Sequence, residues 1–351
     1  MTQPLWLSEA DVVALMDMGE AIAALETGLR AEASGDAENM VKTHATWGQG
    51  DTLHAIGATF PRAGFVGTKT WAHTEGGACP VLVLFDSHDG ALKAVIEAFA
   101  LGQLRTGGIS GVATRWLAAE GADELAVIGT GKQALTQVAA VAAVRPLKRV
   151  RVYSPNAEHR ANFSKKLEAE NFGFAIAEAA SVAQAVKDAP IVTLVTRATQ
   201  PFLRAEMLAR GAHVNAVGAI VPSRVEFAPD IFPRCGRIAV DNLAQVRKLS
   251  REFMDYFGAD EARWRQILPL SQLLVRGEQR PGDADLTLFK AMGMGVSDLS
   301  LGIELYNKAM ARNVGRAFAP PARVKPRLRA QPENAQSAEV TDHDRDYRKI
   351  R

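Results

Sequence analysis

The sequence predicts an α/β protein in which a doubly wound parallel sheet is joined to an antiparallel-sheet domain. Three observations carry that reading. The run Glu124-Leu125-Ala126-Val127-Ile128-Gly129-Thr130-Gly131-Lys132-Gln133-Ala134 passes from an apolar strand through a glycine turn into an Ala-rich helix expected over 132–144. A second strand over 149–153 follows at βαβ distance, and short apolar strands then alternate with helical stretches as far as Val240. Upstream, residues 39–85 break into β-prone runs separated by Gly, Pro and Asp, the pattern of antiparallel strands.

Composition sets outer limits. With 351 residues, 47% hydrophobic and 23% charged, the chain is long enough for two globular domains. Residues 319–351 hold eight Lys or Arg against five Asp or Glu, which leaves the body at −1 out of +2 overall. A near-neutral body argues against nucleic acid as partner, since phosphate contacts need a concentrated basic face. Cys79 and Cys235 lie far apart and outside any Cys/His cluster, so neither a disulfide framework nor a zinc site is expected, and a cytoplasmic location fits. No apolar run reaches the roughly 18 residues of a membrane span, and no signal peptide is evident.

In order, Ser8 with Asp11 and Asp17 with Glu20 have the spacing of two helix caps, and Ile22, Leu25 and Leu29 mark an apolar stripe after the second. Strands are expected over 40–47, 52–60, 64–73 and 80–85, then a turn at 86–90 and a run over 91–99. Thr106-Gly107-Gly108 is read as opening a helix to about Ala119. Beyond the glycine turn come a helix over 157–171, a strand near 174–177, a helix capped by Ser181, and strands over 191–195, 213–217 and 237–240. Residues 296–314 form a long helix that crosses back to the first domain. The domains expected are therefore 1–115 with 296–318, a Rossmann-type domain over 116–295, and a Pro-rich disordered tail over 319–351.

The Gly129-x-Gly131-x-x-Ala134 spacing suits a dinucleotide. Its first glycine permits the tight turn, its second lets backbone approach the pyrophosphate, and the small third residue lets helix and strand pack closely. Thr130, Lys132 and Gln133 complete the turn, where a helix N-terminus offers free N–H groups to phosphate. Ligand residues are expected at the carboxyl ends of the strands, at Gly129, Ser154, Thr196 and Gly218. An NAD enzyme usually carries Asp or Glu at the end of the second strand to hold the ribose 2′-OH. Here the run is Tyr153-Ser154-Pro155-Asn156, with His159 and Arg160 following. Ser154 and Asn156 suit hydrogen bonds to a 2′-phosphate and Arg160 a charge pair, so NADP is expected, with NAD as the alternative.

In the antiparallel region, residues two apart on a strand share a face. Lys69, Trp71 and His73 point one way, as do Lys42, His44 and Thr46 on an earlier strand. So many cationic groups in one small sheet suit an anionic substrate, and their surplus of charge suits a dicarboxylate.

Five blocks resemble the ornithine cyclodeaminase and mu-crystallin family: Val66-Gly67-Thr68-Lys69, Leu104-Arg105-Thr106-Gly107-Gly108, Gly129 to Ala134, Asn215-Ala216-Val217-Gly218-Ala219 and Leu286-Thr287-Leu288-Phe289-Lys290. The resemblance implies a Rossmann domain flanked by an antiparallel domain that makes a homodimer. It also implies that Lys69 and Arg105 bind the substrate carboxylate, with Lys42 where many members carry arginine. Thr106 falls to the cofactor side, and the segment from Lys290 to Gly293 lies near the nicotinamide. The activity implied is NAD(P)-dependent reduction of an imino or 2-oxo acid, with Lys69 polarising or protonating the reacting group. A cyclodeaminase-type lyase and a non-enzymatic ligand carrier stay open as alternatives. One departure bears on the lyase: where cyclodeaminases carry an aspartate before a proline, this chain has Ile220 before Val221-Pro222, and Glu226 nearby reads as structural or surface.

Overall fold

Two sheets frame the computed structural model, which describes residues 3–329. The first is built from β1 (Leu5–Leu7), β2 (Glu38–Asn39), β3 (Thr43–Trp47), β4 (Asp51–Phe60), β5 (Phe65–Thr74), β6 (Gly77–Ala78), β7 (Val81–Asp86) and β8 (Leu92–Glu97). The second holds β9 (Glu124–Ile128), β10 (Arg149–Tyr153), β11 (Ala175–Glu178), β12 (Ile191–Leu194), β13 (His213–Ala216), β14 (Cys235–Val240), β15 (Ile267–Pro269) and β16 (Leu286–Lys290). A last strand, β17 (Arg316–Ala317), returns to pair antiparallel with β1. The order of the first sheet is β17-β1-β8-β7-β5-β4-β2, with β3 on β4 and β6 on β5. That of the second is β11-β10-β9-β12-β13-β16-β14-β15.

Every pairing in the second sheet is parallel. Its central strands β9, β12, β13 and β16 are buried on both faces, and β9 and β12 accordingly read as short, mainly apolar runs. From β9 the chain winds outward to β10 and β11, then crosses to β12 and β13 on the other side. The order therefore switches between β9 and β12, and a crevice opens at their carboxyl ends. The first sheet is antiparallel except for the β1–β8 pair.

The helices are α1 (Glu9–Leu15), α2 (Met18–Ser34), α3 (Phe99–Leu117), α4 (Ala134–Ala142), α5 (Ala157–Ala169), α6 (Val182–Val186), α7 (Leu243–Leu249), α8 (Arg251–Phe257), α9 (Glu261–Trp264), α10 (Leu270–Arg276) and α11 (Gly295–Arg312). Both expected N-caps form full capping boxes, Ser8 with Asp11 and Asp17 with Glu20. Ser181 caps α6. The long C-terminal helix α11 runs over 295–312 and buries Val296, Leu299, Leu305 and Tyr306 in the same core as Ile22, Leu25, Leu82 and Leu84.

Two expectations need correction. The helix expected to start at Thr106 starts seven residues earlier, at Phe99, so Arg105 and Thr106 lie mid-helix. Gly107 and Gly108 read as a helix start but are contact points: a Cβ would sit 2.5 Å from the Thr136 carbonyl oxygen at one and 2.7 Å from Leu25 at the other. The strand expected over 40–47 is split. Pairing with β4 stops at Asn39 opposite Ala58 and resumes at Thr43 opposite Ala55, so four steps face three. One residue is extra, as in a β-bulge, and Lys42 falls in that irregularity rather than on a strand.

The chain as far as Ala319 is one compact unit. Residues 320–329 carry neither helix nor strand. Most of the tail expected over 319–351, from residue 330 on, lies outside the described residues. No helix among the described residues is long and apolar enough to cross a membrane.

Candidate active site

At the carboxyl end of β9 the chain turns through Gly129, whose φ of +110° suits only glycine; a Cβ there would also lie 2.6 Å from the Val195 carbonyl oxygen. Two residues on, a Cβ at Gly131 would meet nothing within 4 Å, so the turn presents open backbone. A cleft of about 970 Å³ lies over this turn. Thr106, Gly129, Thr130, Gly131, Lys132, Gln133, Ser154, Thr196, Gly218 and Gly293 line it, together with Arg105. The glycine turn and the cleft at the switch point suit a dinucleotide.

Other candidates lie elsewhere. Ala134 is buried in the first turn of α4, packed among Val127, Val138 and Val150. Asn156 is the N-cap of α5 and accepts from the His159 N–H at 2.9 Å. Arg160 donates to the Ser154 carbonyl at 2.6 Å and faces Glu178 at 3.9 Å, so its charge is engaged outside the cleft. Lys290 is fully buried beneath the site, 3.5 Å from Glu252. Lys290 ends β16 inside the core, while Ala291, Met292 and Gly293, in the loop that follows, line the cleft. His73 is exposed near the end of β5 and does not line the cleft.

Two lining cations were not among the sequence-derived candidates, Lys166 from α5 and Arg197 after β12; His159 also lines the cleft. With Lys132 and Arg105 they make a basic wall, and no Asp or Glu lines the cleft among the described residues. Lys166 sits in the third turn of α5, a position that only the docked helix brings to the cleft.

Glu226 proves to be buried and structural. Its carboxylate accepts from the Thr196 N–H at 2.7 Å, the Thr196 hydroxyl at 2.9 Å, the Gly218 N–H at 2.9 Å and the Ala219 N–H at 3.1 Å. It thereby ties together the two loops that leave β12 and β13 at the cleft. Burial pushes its pKa up, opposed chiefly by the charge of Lys290. Asp241 does the same for the loop after β16, accepting from Met292 N–H at 2.8 Å and Gly293 N–H at 2.7 Å.

Beyond Gly293 the cleft meets the first sheet. Arg105 lies against that glycine, where a Cβ would come 2.9 Å from its guanidinium. The Arg105 Nε is 3.2 Å from Oδ1 of Asp298, a fully buried carboxylate on α11. Lys69, only 4% exposed on β5, ion-pairs with the same oxygen. Burial pushes Lys69 down to about 8; Asp298 opposes this, while Arg105 and Lys42 add to it. Lys42 is also lowered, by burial and then by Arg105. The structure thus brings Lys69 and Arg105 together on Asp298, a residue with no motif of its own in the sequence, with the charge of Lys42 near enough to act on Lys69; of the three cations Arg105 lines the cleft and the two lysines do not. Outward from Lys69 runs a stack of rings: the ammonium is 5.3 Å from the Trp71 ring centre, Trp71 is 4.8 Å from His54, and His54 is 5.7 Å from His44.

A switch-point cleft with a glycine turn, bordered at Arg105 by a buried ion-pair cluster, defines the class of a dinucleotide-binding α/β protein. The chain belongs to the ornithine cyclodeaminase/mu-crystallin family, whose profile matches residues 2–313. Delta(1)-pyrroline-2-carboxylate reductase of Bacillus cereus is 32% identical over 244 residues, covering 67% of this chain and 72% of the relative. Ketimine reductase mu-crystallin of Rattus norvegicus is 30% identical over 218 residues, covering 62% and 66%. Among solved structures, Delta(1)-pyrroline-2-carboxylate reductase of Thermococcus litoralis, in complex with NADH and L-proline, matches with a TM-score of 0.83 at 24% identity, covering 90% of this chain and 100% of that one. At that identity the likeness is one of fold.

Proposed function

We propose that the protein is an NAD(P)H-dependent reductase of a small 2-imino acid, cyclic or acyclic, giving an amino acid. The observation that carries this reading is Arg105, which lines the dinucleotide cleft and shares Asp298 with the buried Lys69, with the charge of Lys42 close by. Set against Asp298, and against Asp241 near Arg105, the three cations still leave positive charge for a substrate carboxylate. A bound nicotinamide would supply the hydride. Arg105 has a guanidinium fork to grip a carboxylate, and Lys42 adds a point charge beside it. Lys69, whose pKa of about 8 leaves it mostly an ammonium at neutral pH, hands a proton to the reacting nitrogen.

Within this reading the cofactor is NADP(H). Support comes from Lys132, His159 and Lys166 along the cleft, with Ser154 and no lining carboxylate to hold a ribose 2′-OH. These replace Arg160 and Asn156 as partners for a 2′-phosphate. Ile220, 41% exposed at the cleft, offers no acid or base and speaks against cyclodeamination. We further propose a cytoplasmic homodimer with a substrate and dimerisation domain (1–115 with 296–318) and a nucleotide domain (116–295). Met40, Val41, Trp47 and Leu53 are exposed apolar groups around the β3–β4 hairpin, which suits a subunit contact. The test is a cofactor-oxidation assay with cyclic imines, and with 2-oxo acids plus ammonia or methylamine. Imine-dependent oxidation is expected, and its absence across the panel would refute the reading.

A further inference from the structure

We infer that Asp298 is the positioning residue that keeps Lys69 an ammonium aimed at the substrate nitrogen. The inference rests on the imine-reductase reading above and adds a residue to it. Asp298 comes from α11, Lys69 from β5 and Arg105 from α3, and one carboxylate oxygen holds both cations. Its other oxygen, Oδ2, is buried with no hydrogen-bond partner among the described residues. A carboxylate this deep, with one oxygen unpaired, costs stability unless something is gained from its charge.

What it supplies is the proton on Lys69. The charged groups facing Lys69 are Asp298 from α11, Arg105 from α3 and Lys42 from the segment before β3. Across the sheet its register partners, Ile56 on β4 and Leu82 on β7, are apolar. Burial and both neighbouring cations favour the neutral amine, and Asp298 alone opposes them. No lining carboxylate is available in the cleft as a second donor among the described residues. When a neutral imine accepts hydride at carbon, the C=N π pair closes onto nitrogen and that nitrogen takes one proton. The Lys69 N–H bond breaks to provide it, leaving a neutral amine that solvent reprotonates.

The experiment compares native protein with Asp298→Asn, Asp298→Ser and Asp298→Glu by two readouts. The first is the pH profile of kcat/KM for imine reduction, whose alkaline limb should fall by at least about one pH unit in the two neutral variants and return in Asp298→Glu. The second needs no turnover: the pH dependence of Lys69 acylation by acetic anhydride in cofactor-free protein, followed by mass spectrometry. Its midpoint should move down in Asp298→Asn and Asp298→Ser. Using two neutral side chains of different size keeps the result from resting on one variant's folding. An unchanged acylation midpoint in a folded neutral variant would overturn the inference. If the native protein reduces no imine, the functional reading falls, and the acylation arm still decides the role of Asp298.

Discussion

On the proposed reading, truncating Lys69 or Arg105 removes a charged contact to an anionic substrate, while Asp298 keeps its other cation. Lys69→Ala and Arg105→Ala should each lower kcat/KM roughly 100-fold, as expected for loss of one charge-assisted bond plus its positioning effect. Both variants should stay folded by circular dichroism, and near-native kcat/KM in either would misplace the clamp. A second prediction concerns Glu32, whose carboxyl is pushed from 4.5 up to about 7, by burial first and then by Asp241. Its native form binds a proton more tightly than the unfolded form does. The stability this contributes is fully present below pH 4.5 and is lost as pH rises through about 7. Urea midpoints of Glu32→Gln should therefore fall less than those of native protein across that window, and parallel curves would count against it. At this scale the sequence exposed Lys69 and Arg105 but not Asp298, which gains meaning only when α11 crosses back to β5. Arg160 and Lys290 were misassigned for the converse reason: chain proximity to a ligand segment does not say which way a side chain turns.

The elements were more legible because their causes are local. Capping boxes at Ser8 and Asp17, the glycine turn after β9 and the buried, mainly apolar strands β9 and β12 all follow from short-range pattern. The misread starts of α3 and β3 were not local. Gly107 and Gly108 are small because α4 and α2 press on α3, and the extra residue around Lys42 shows only against its partner strand. Glu226 belongs to this scale, since it fastens the loops after β12 and β13 with a single carboxylate. Glu226→Gln keeps the shape but gives up acceptor capacity and charge. The Kd for NADPH should rise about tenfold, in line with one charged hydrogen bond lost, while the far-UV spectrum stays native. Unchanged affinity by titration calorimetry would show that the loops hold without it.

For the molecule as a whole, the parallel sheet fixes a cleft lined by Lys132, Lys166 and Arg197, and the antiparallel sheet brings Lys69 to Asp298 beside Arg105. NADPH should be used in preference to NADH, and Ser154→Asp should reverse that order by placing a carboxylate against the 2′-phosphate. Equal use of both cofactors by native protein would remove the argument from the cleft's cations. The central claim is that this is an imine reductase rather than a lyase or a carrier, and one paired measurement addresses it most directly. Native protein is incubated with NADPH and a cyclic 2-imino acid while the reduced-nicotinamide absorbance is followed, and in parallel with ornithine and catalytic NADP while ammonia and proline are quantified. The account predicts imine-dependent loss of absorbance in the first and neither product in the second. Sustained formation of ammonia and proline, or cofactor binding without any imine turnover, would contradict it.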